Sequence, residues 1–358
     1  MENPVVESNR IDGTRRIRST VHRATALAST EHLLFCSLTA PPTSNKVESS
    51  ERTRDGSAPG HPLAKTEKGT HMMETFHKKY GWIGPDRIAY YDEGPSTAAA
   101  VLLLHGLPTS CYLWRKVIAH LRPQFRCIAP DFPGLGDSTC PPGASLSLSS
   151  QAERVAALIE SLDLEHVAVV GHDVGGAVAQ ILSLHYGRFV RCLALCDAAC
   201  YDNWPVGIIR TVRALCRNRH VFYWAMRIGL STRLAYSRKG FRQGVRHPGS
   251  LGPRQIDEYL RPLHLSDSAL ERFRVLMASL SNAETREIAN EFYRFEKPTL
   301  IVWALDDAFF PLIWGERLAT DFPNSTLTTI SDCGHFVPEE RPRQLAGRLT
   351  QWLVDSFY

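Results

Sequence analysis

From Tyr80 onward, short apolar runs alternate with amphipathic stretches. Val101–Leu104, Arg126–Ala129, Val167–Val170, Val190–Leu195, Leu300–Trp303 and Leu327–Ile330 are short, rich in aliphatic or β-branched residues, and bounded by Gly, Pro, Asp or His. That pattern predicts strands. Each run is followed by sequence in which apolar residues return every three or four positions, as in Leu113–Leu121, Leu148–Leu162 and Leu345–Val354, which predicts helices. Strands interleaved with helices imply an α/β fold with a mostly parallel twisted sheet flanked by helices. Between Tyr201 and Lys297 the alternation stops and the period becomes helical, with Ile208, Val212 and Leu215 on one face and Leu270, Phe273, Leu276, Met277 and Leu280 on another. We therefore expect a core at 72–200 and 297–358 and an inserted helical cap at 201–296.

Residues 1–71 differ from the rest. Of these 71 positions 20 are apolar and 17 are Ser or Thr, and no period persists, so the segment cannot bury enough surface to offset its ordering entropy. Arg10, Arg15, Arg16, Arg18 and Arg23 hint at a transit peptide, whereas Glu2, Glu7 and Asp12 argue against one. We expect a disordered tail, or an over-extended start, because Met72 and Met73 stand just before the patterned sequence.

Composition narrows the class. With 358 residues, 44% apolar and 22% charged, the chain is neither fibrous, collagen-like nor wholly disordered. A net charge of +4 gives no nucleic-acid footprint, and no apolar stretch approaches the ~18 residues that span a bilayer. Nine cysteines occur without a C-x-x-C or a zinc-like Cys/His spacing, so we expect no metal, no needed disulfide and a cytoplasmic location. Cys192, Cys196 and Cys200 read as small buried side chains. Residues 203–262 hold twelve Lys or Arg against Asp257 and Glu258 alone. That asymmetry fits steering of an anionic substrate, contact with an acidic surface, or a solvated helical exterior.

The candidate chemistry centres on Val169-Val170-Gly171-His172-Asp173-Val174-Gly175-Gly176, a buried strand running through small residues into a helix. This is the pattern of a nucleophile elbow, in which small neighbours tolerate a strained turn that pushes one functional group into the open. Here the group is Asp173. Asp173 could instead cap the following helix, but a cap does not require three flanking glycines. Asp306 and Asp307 follow the Leu300–Trp303 strand, and His335 follows Leu327–Ile330, in the order nucleophile, acid, histidine. Spacing favours Asp307 over Asp306. His105-Gly106-Leu107-Pro108 follows the first long strand, so the N–H groups of Leu107 and Val174 are candidate oxyanion donors. We read His105 and His172 as structural and leave Trp114 and Trp204 open between pocket and core.

A carboxylate is already ionised at neutral pH and attacks without a general base. Attack on an ester would yield an uphill anhydride, whereas displacement at saturated carbon yields a stable alkyl ester. His335, oriented by Asp307, would then activate water to hydrolyse that ester.

These residues resemble the α/β-hydrolase superfamily, and within it the aspartate-nucleophile branch of haloalkane dehalogenases and epoxide hydrolases. Pro108-Thr109-Ser110-Cys111-Tyr112-Leu113-Trp114-Arg115 is similar to the dehalogenase sequence after the oxyanion loop. Ala129-Pro130-Asp131-Phe132-Pro133-Gly134-Leu135-Gly136-Asp137-Ser138 is similar to both groups, and Gly171-His172-Asp173-x-Gly175-Gly176 to the epoxide hydrolase elbow. The resemblance covers roughly residues 80–358. It implies an alkyl-ester mechanism on small hydrophobic substrates with water as co-substrate and no cofactor. Carbon–halogen cleavage comes first and epoxide hydrolysis second; an ester or C–C hydrolase and a non-catalytic ligand receptor are the remaining alternatives.

The chain departs from the branch in places. The halide-holding Trp after the nucleophile is replaced by Val174, which also excludes the Arg of fluoroacetate dehalogenases, and the loop Asn is replaced by Leu107. Of the two cap tyrosines of epoxide hydrolases, Tyr223 is the candidate first, Phe273 falls at the second, and Tyr201, Tyr236 and Tyr259 are substitutes. Some dehalogenases take the acid from the end of the preceding strand, which makes Asp197 an alternative to Asp307.

Overall fold

A strand that is buried at every position, Val167–Asp173, lies at the centre of an eight-stranded sheet. The computed structural model describes residues 76–231, 235–237 and 240–358. The chain divides into two units, Met1–Gly69 and Thr70–Tyr358, and the described residues belong to the second. The tail expected at 1–71 lies outside them.

The strands are β1 (Lys79–Ile83), β2 (Asp86–Glu93), β3 (Ala100–Leu104), β4 (Arg126–Pro130), β5 (Val167–Asp173), β6 (Val190–Ala198), β7 (Thr299–Ala304) and β8 (Ser325–Ile330). Their spatial order is β1-β2-β4-β3-β5-β6-β7-β8. All pairings from β4 onward are parallel; β1 with β2 and β2 with β4 are antiparallel. This is an α/β fold, with helices flanking a mostly parallel sheet, as the alternation of runs predicts. The six aliphatic runs all form strands. The antiparallel pair at the start lies outside that expectation for a physical reason: β2 mixes aromatic and charged residues (DRIAYYDE), and β1 is an edge strand that leaves Tyr80 and Trp82 exposed, so neither presents an aliphatic run.

The helices are α1 (Arg115–Leu121), α2 (Leu148–Ser161), α3 (Val174–His185), α4 (Gly207–Leu215), α5 (Arg219–Ser231), α6 (Pro253–Leu265), α7 (Asp267–Ser279), α8 (Ala283–Ile288), α9 (Ile313–Asp321), α10 (Val337–Glu340) and α11 (Pro342–Phe357). Those from α4 to α8 fall between β6 and β7. No helix among the described residues is long and apolar enough to cross a membrane. Cys192 and Cys196 sit in β6 and Cys200 just beyond it, all buried and unpaired.

Three carboxylates tie the helical insertion to the rest. Glu339, with a fully buried side chain, takes two hydrogen bonds from Arg115 (2.6 and 2.9 Å), and a third from the Tyr259 hydroxyl of α6 (2.6 Å). Asp137 accepts from Lys78 and from Arg261 of α6, each at 2.7 Å. Glu340 accepts only main-chain N–H groups among the contacts that matter here: Gly334 on the strand side (2.6 Å), and Arg246 and His247 in the insertion (3.0 and 2.7 Å).

Candidate active site

Because the parallel strands run in one direction, their carboxyl ends gather the chemistry at one sheet edge, where ligands bind in open α/β sheets. β3 leads to Leu107, β5 ends in Asp173, β6 carries Asp197, β7 leads to Asp307 and β8 to His335.

Asp173 joins β5 to α3 with φ 52° and ψ −125°, a left-handed conformation that is strained for a residue with a side chain. The turn closes because Gly171 lies against the Gly175–Gly176 main chain, where any Cβ would collide. The Asp173 side chain makes no capping hydrogen bond to α3, so the helix-cap alternative has no support in the geometry. Its two oxygens are instead divided. Oδ1 accepts the Leu107 N–H at 2.8 Å, while Oδ2 lies 3.5 Å from His335 Nε2. Val174 follows directly and lines the same cavity.

On its other side His335 donates from Nδ1 to Asp307 Oδ2 at 2.8 Å. Asp307 is itself fixed, since its Oδ1 accepts the main-chain N–H groups of Phe309 (2.7 Å) and Phe310 (3.1 Å). The structure thus brings Asp173, His335 and Asp307 into one contiguous line. Asp197 is not part of it: its Oδ1 accepts the Ala304 N–H at 2.8 Å, and no hydrogen bond joins it to His335.

Burial, reinforced by the negative charge of Asp307, pushes the Asp197 carboxyl well above the usual carboxylate range. Burial would also raise Asp173, but the hydrogen bond and charge of His335, with the Leu107 N–H, outweigh it and hold the group below its ordinary value. For His335 burial acts to lower the pKa, yet Asp307 and Asp173 on either side raise it well above that of a free imidazole. His172 is driven to about 4 by burial and stays neutral, donating from Nε2 to the His335 carbonyl at 2.8 Å. His105 is likewise buried, with its pKa lowered, between the Gly106 carbonyl and the Phe132 N–H. Both rings are engaged with main-chain groups.

Asp173, Val174, Leu107 and His335 open onto a cavity of about 230 Å³. Its walls are overwhelmingly apolar, with Leu260, Leu263, Phe273 and Met277 contributed by the helical insertion. Such a volume lies below the roughly 300–1,000 Å³ usual for ligand pockets. Trp204 lines the cavity but its indole N–H donates outward to Thr285 Oγ1 at 3.1 Å. Trp114 does not line it; it is fully buried against the edge of His172.

Tyr223 requires a correction. It is absent from the cavity lining: the hydroxyl bonds to the Asp267 carbonyl and to Glu271, both at 3.1 Å, on the outer side of α5. The residue turns away because Phe222 and Met226 supply the buried face of that helix. Among the described residues no tyrosine lines the cavity. Sequence reasoning missed the aromatic wall around His335, where Phe309, Phe310 and Phe336 stand edge-on at 5.1 to 5.3 Å between ring centres. It also missed Gln243, the one carboxamide lining the cavity among those residues. The run Asp306-Asp307-Ala308-Phe309-Phe310 contained the signal for the first two.

A strand-end elbow, an acid–imidazole pair and an apolar cavity on this sheet define an enzyme of the α/β-hydrolase type. A family model described as the alpha/beta hydrolase fold matches residues 99–219 and 230–342, and the chain belongs to that family. Haloalkane dehalogenase 2 of Mycobacterium tuberculosis is 26% identical over 273 residues, covering 74% of this chain and 91% of that one. A soluble epoxide hydrolase of Corynebacterium sp. is 30% identical over 259 residues, covering 68% and 86%. Among solved structures, wild-type Cfl2 of Burkholderia cenocepacia superposes with a TM-score of 0.68 at 26% identity, covering 79% of this chain and 97% of that one.

Proposed function

We propose that this enzyme displaces a leaving group from saturated carbon in small apolar molecules through an alkyl ester on Asp173, with carbon–halogen bonds as the substrate class. The observation that carries the reading is the division of labour between the two Asp173 oxygens. Oδ2 lies 3.5 Å from His335 Nε2 in a residue that lines the cavity and is our attacking atom, while Oδ1 rests on the Leu107 N–H, the oxyanion position.

In the first step Oδ2 bonds to the substrate carbon as the carbon–halogen bond breaks, and halide departs with the electron pair. Alkylation removes the negative charge of Asp173, one of the two carboxylates that raise the His335 pKa; this favours release of the imidazolium proton to solvent, where it balances the departed halide, and leaves Nε2 free to act as a base. Water then gives a proton to Nε2 and attacks Cγ of the ester. The charge that develops on Oδ1 is received by the Leu107 N–H, with the Val174 N–H as the second donor. As the intermediate collapses, the Cγ–OR bond breaks, the imidazolium returns its proton to the departing oxygen to give the alcohol, and the new carboxyl passes its proton to Nε2, restoring the carboxylate. The insertion acts as a cap, excluding bulk water from the displacement.

The leaving group decides between the two activities named in the relatives. Halide departs as a stable anion, whereas an opening epoxide generates an alkoxide that needs a proton donor. With Tyr223 turned outward and no tyrosine among the described cavity residues, the halide reading is favoured. Among the described cavity residues the tryptophan clamp of haloalkane dehalogenases has no counterpart, since the Trp204 N–H is engaged with Thr285; the Gln243 carboxamide is a polar group available there.

The test is His335→Gln incubated with a mixture of short haloalkanes and epoxides and followed by intact mass. Halide release with an alkyl adduct on Asp173 is expected. An adduct equal to the whole epoxide would transfer the assignment to epoxide hydrolysis, and adduct formation that survives Asp173→Asn would remove the nucleophile assignment.

A further inference from the structure

Between Asn203 and Ile256 the chain carries eleven Lys or Arg residues and not one Asp or Glu. Within that stretch α5 presents Val221, Trp224 and Ile228 to solvent, 45%, 68% and 44% exposed. Their spacing of three and then four positions aligns them along one helix face. Arg219, His220 and Arg227 flank the line, also exposed, with Arg219 and Arg227 leaning on Glu271 and Asp267 of α7. Helix α4 adds Ile208, 47% exposed, and the exposed Arg210, and the turn between α4 and α5 adds the exposed Arg217. The inward faces of the same two helices reach the active-site cavity, which Ile208, Ile209, Val212 and Met226 help to line. Ile208 therefore belongs to both surfaces.

We propose that the outer face of α4 and α5 docks onto an anionic lipid membrane. A helix with tryptophan and aliphatic residues on one stripe and arginines beside it lies in the interfacial plane, its apolar stripe set into the headgroup boundary and its cations on lipid phosphates. A second copy of the chain is disfavoured as the occupant, because face-to-face pairing would set the exposed Arg210 and Arg217 of one copy against those of the other, with no acidic residue between 203 and 256 to receive them. A membrane supplies both complementary features at once. Combined with the substrate class proposed above, on which this clause rests, the docking places the cavity entrance at Ile208 beside a reservoir of dissolved apolar substrate.

The experiment is co-sedimentation of the full chain with phosphatidylcholine vesicles, with and without about one-third phosphatidylglycerol. Binding to the anionic vesicles alone is expected, weakening as salt rises. Arg210→Gln with Arg217→Gln should reduce that binding about 30-fold, from the ordinary worth of two arginines near a charged surface. Trp224→Gln with Val221→Gln should reduce it by at least about tenfold, with far-ultraviolet circular dichroism unchanged. Equal binding to neutral and anionic vesicles, no binding to either, or wild-type binding by both double variants would overturn the proposal. So would a concentration-dependent dimer in ultracentrifugation that Trp224→Gln abolishes. Binding is read without substrate and should persist in His335→Gln, so its failure is distinguishable from failure of the hydrolase reading.

Discussion

Replacing Asp307 by Asn changes one charge in a nearly isosteric side chain and separates the two half-reactions proposed for Asp173. Asp307 Oδ2 lies 2.8 Å from His335 Nδ1, and both side chains are almost wholly buried. With charge centres about 4 Å apart and an effective dielectric near 20, the imidazolium–carboxylate attraction is about 4 kcal/mol. That attraction is absent before water is deprotonated and present afterwards, so losing it slows ester hydrolysis by up to about 10³-fold. Displacement of halide moves no proton, so it should change by less than about tenfold. Rapid-quench measurement of alcohol and halide would then show a halide burst equal to the enzyme concentration, followed by a much slower steady state. Equal slowing of burst and steady state, or no slowing of either, would refute the assigned role of Asp307.

Three further outcomes follow from the geometry. Tyr223→Phe should leave turnover within about twofold of wild type, because its hydroxyl is engaged with Asp267 and Glu271; a tenfold loss in steady-state turnover would return that residue to the site. Glu339→Gln leaves Arg115 charged, buried and poorly paired, and should cost about 3–5 kcal/mol in urea unfolding. For Asp137, burial acts to raise the pKa but Lys78 and Arg261 lower it below its ordinary 3.8. A carboxyl depressed by folding contributes stability above its unfolded value and loses it as pH falls, so melting temperature should drop below about pH 4, and Asp137→Asn should flatten that part of the profile.

Much of this was legible in the sequence because parallel strands are buried on both faces and write themselves as aliphatic runs. The strand ends then supply the chemistry by position alone, which is why Asp173, Asp307 and His335 could be named. The choice between Asp307 and Asp197 was not legible: both stand at the carboxyl ends of neighbouring strands, and only the hydrogen bond to His335 separates them. Tyr223 failed for a related reason. Helical spacing says which residues share a face, but not whether that face turns inward, and Phe222 and Met226 take the inner side of α5. Gln243, in a short turn without period, gave no signal at all.

Glu340 grips the insertion through the peptide nitrogens of residues 246 and 247 rather than through their side chains, while its Oε2 also holds the nitrogen next to His335. A fastening made to peptide groups is indifferent to side-chain identity. The chamber wall is therefore free to diversify by substitution at residues 246 and 247 without coming loose from the catalytic loop, and grafts that exchange residues 207–294 between relatives should succeed where this glutamate is retained together with Tyr259 and Arg261, the side-chain partners of Glu339 and Asp137.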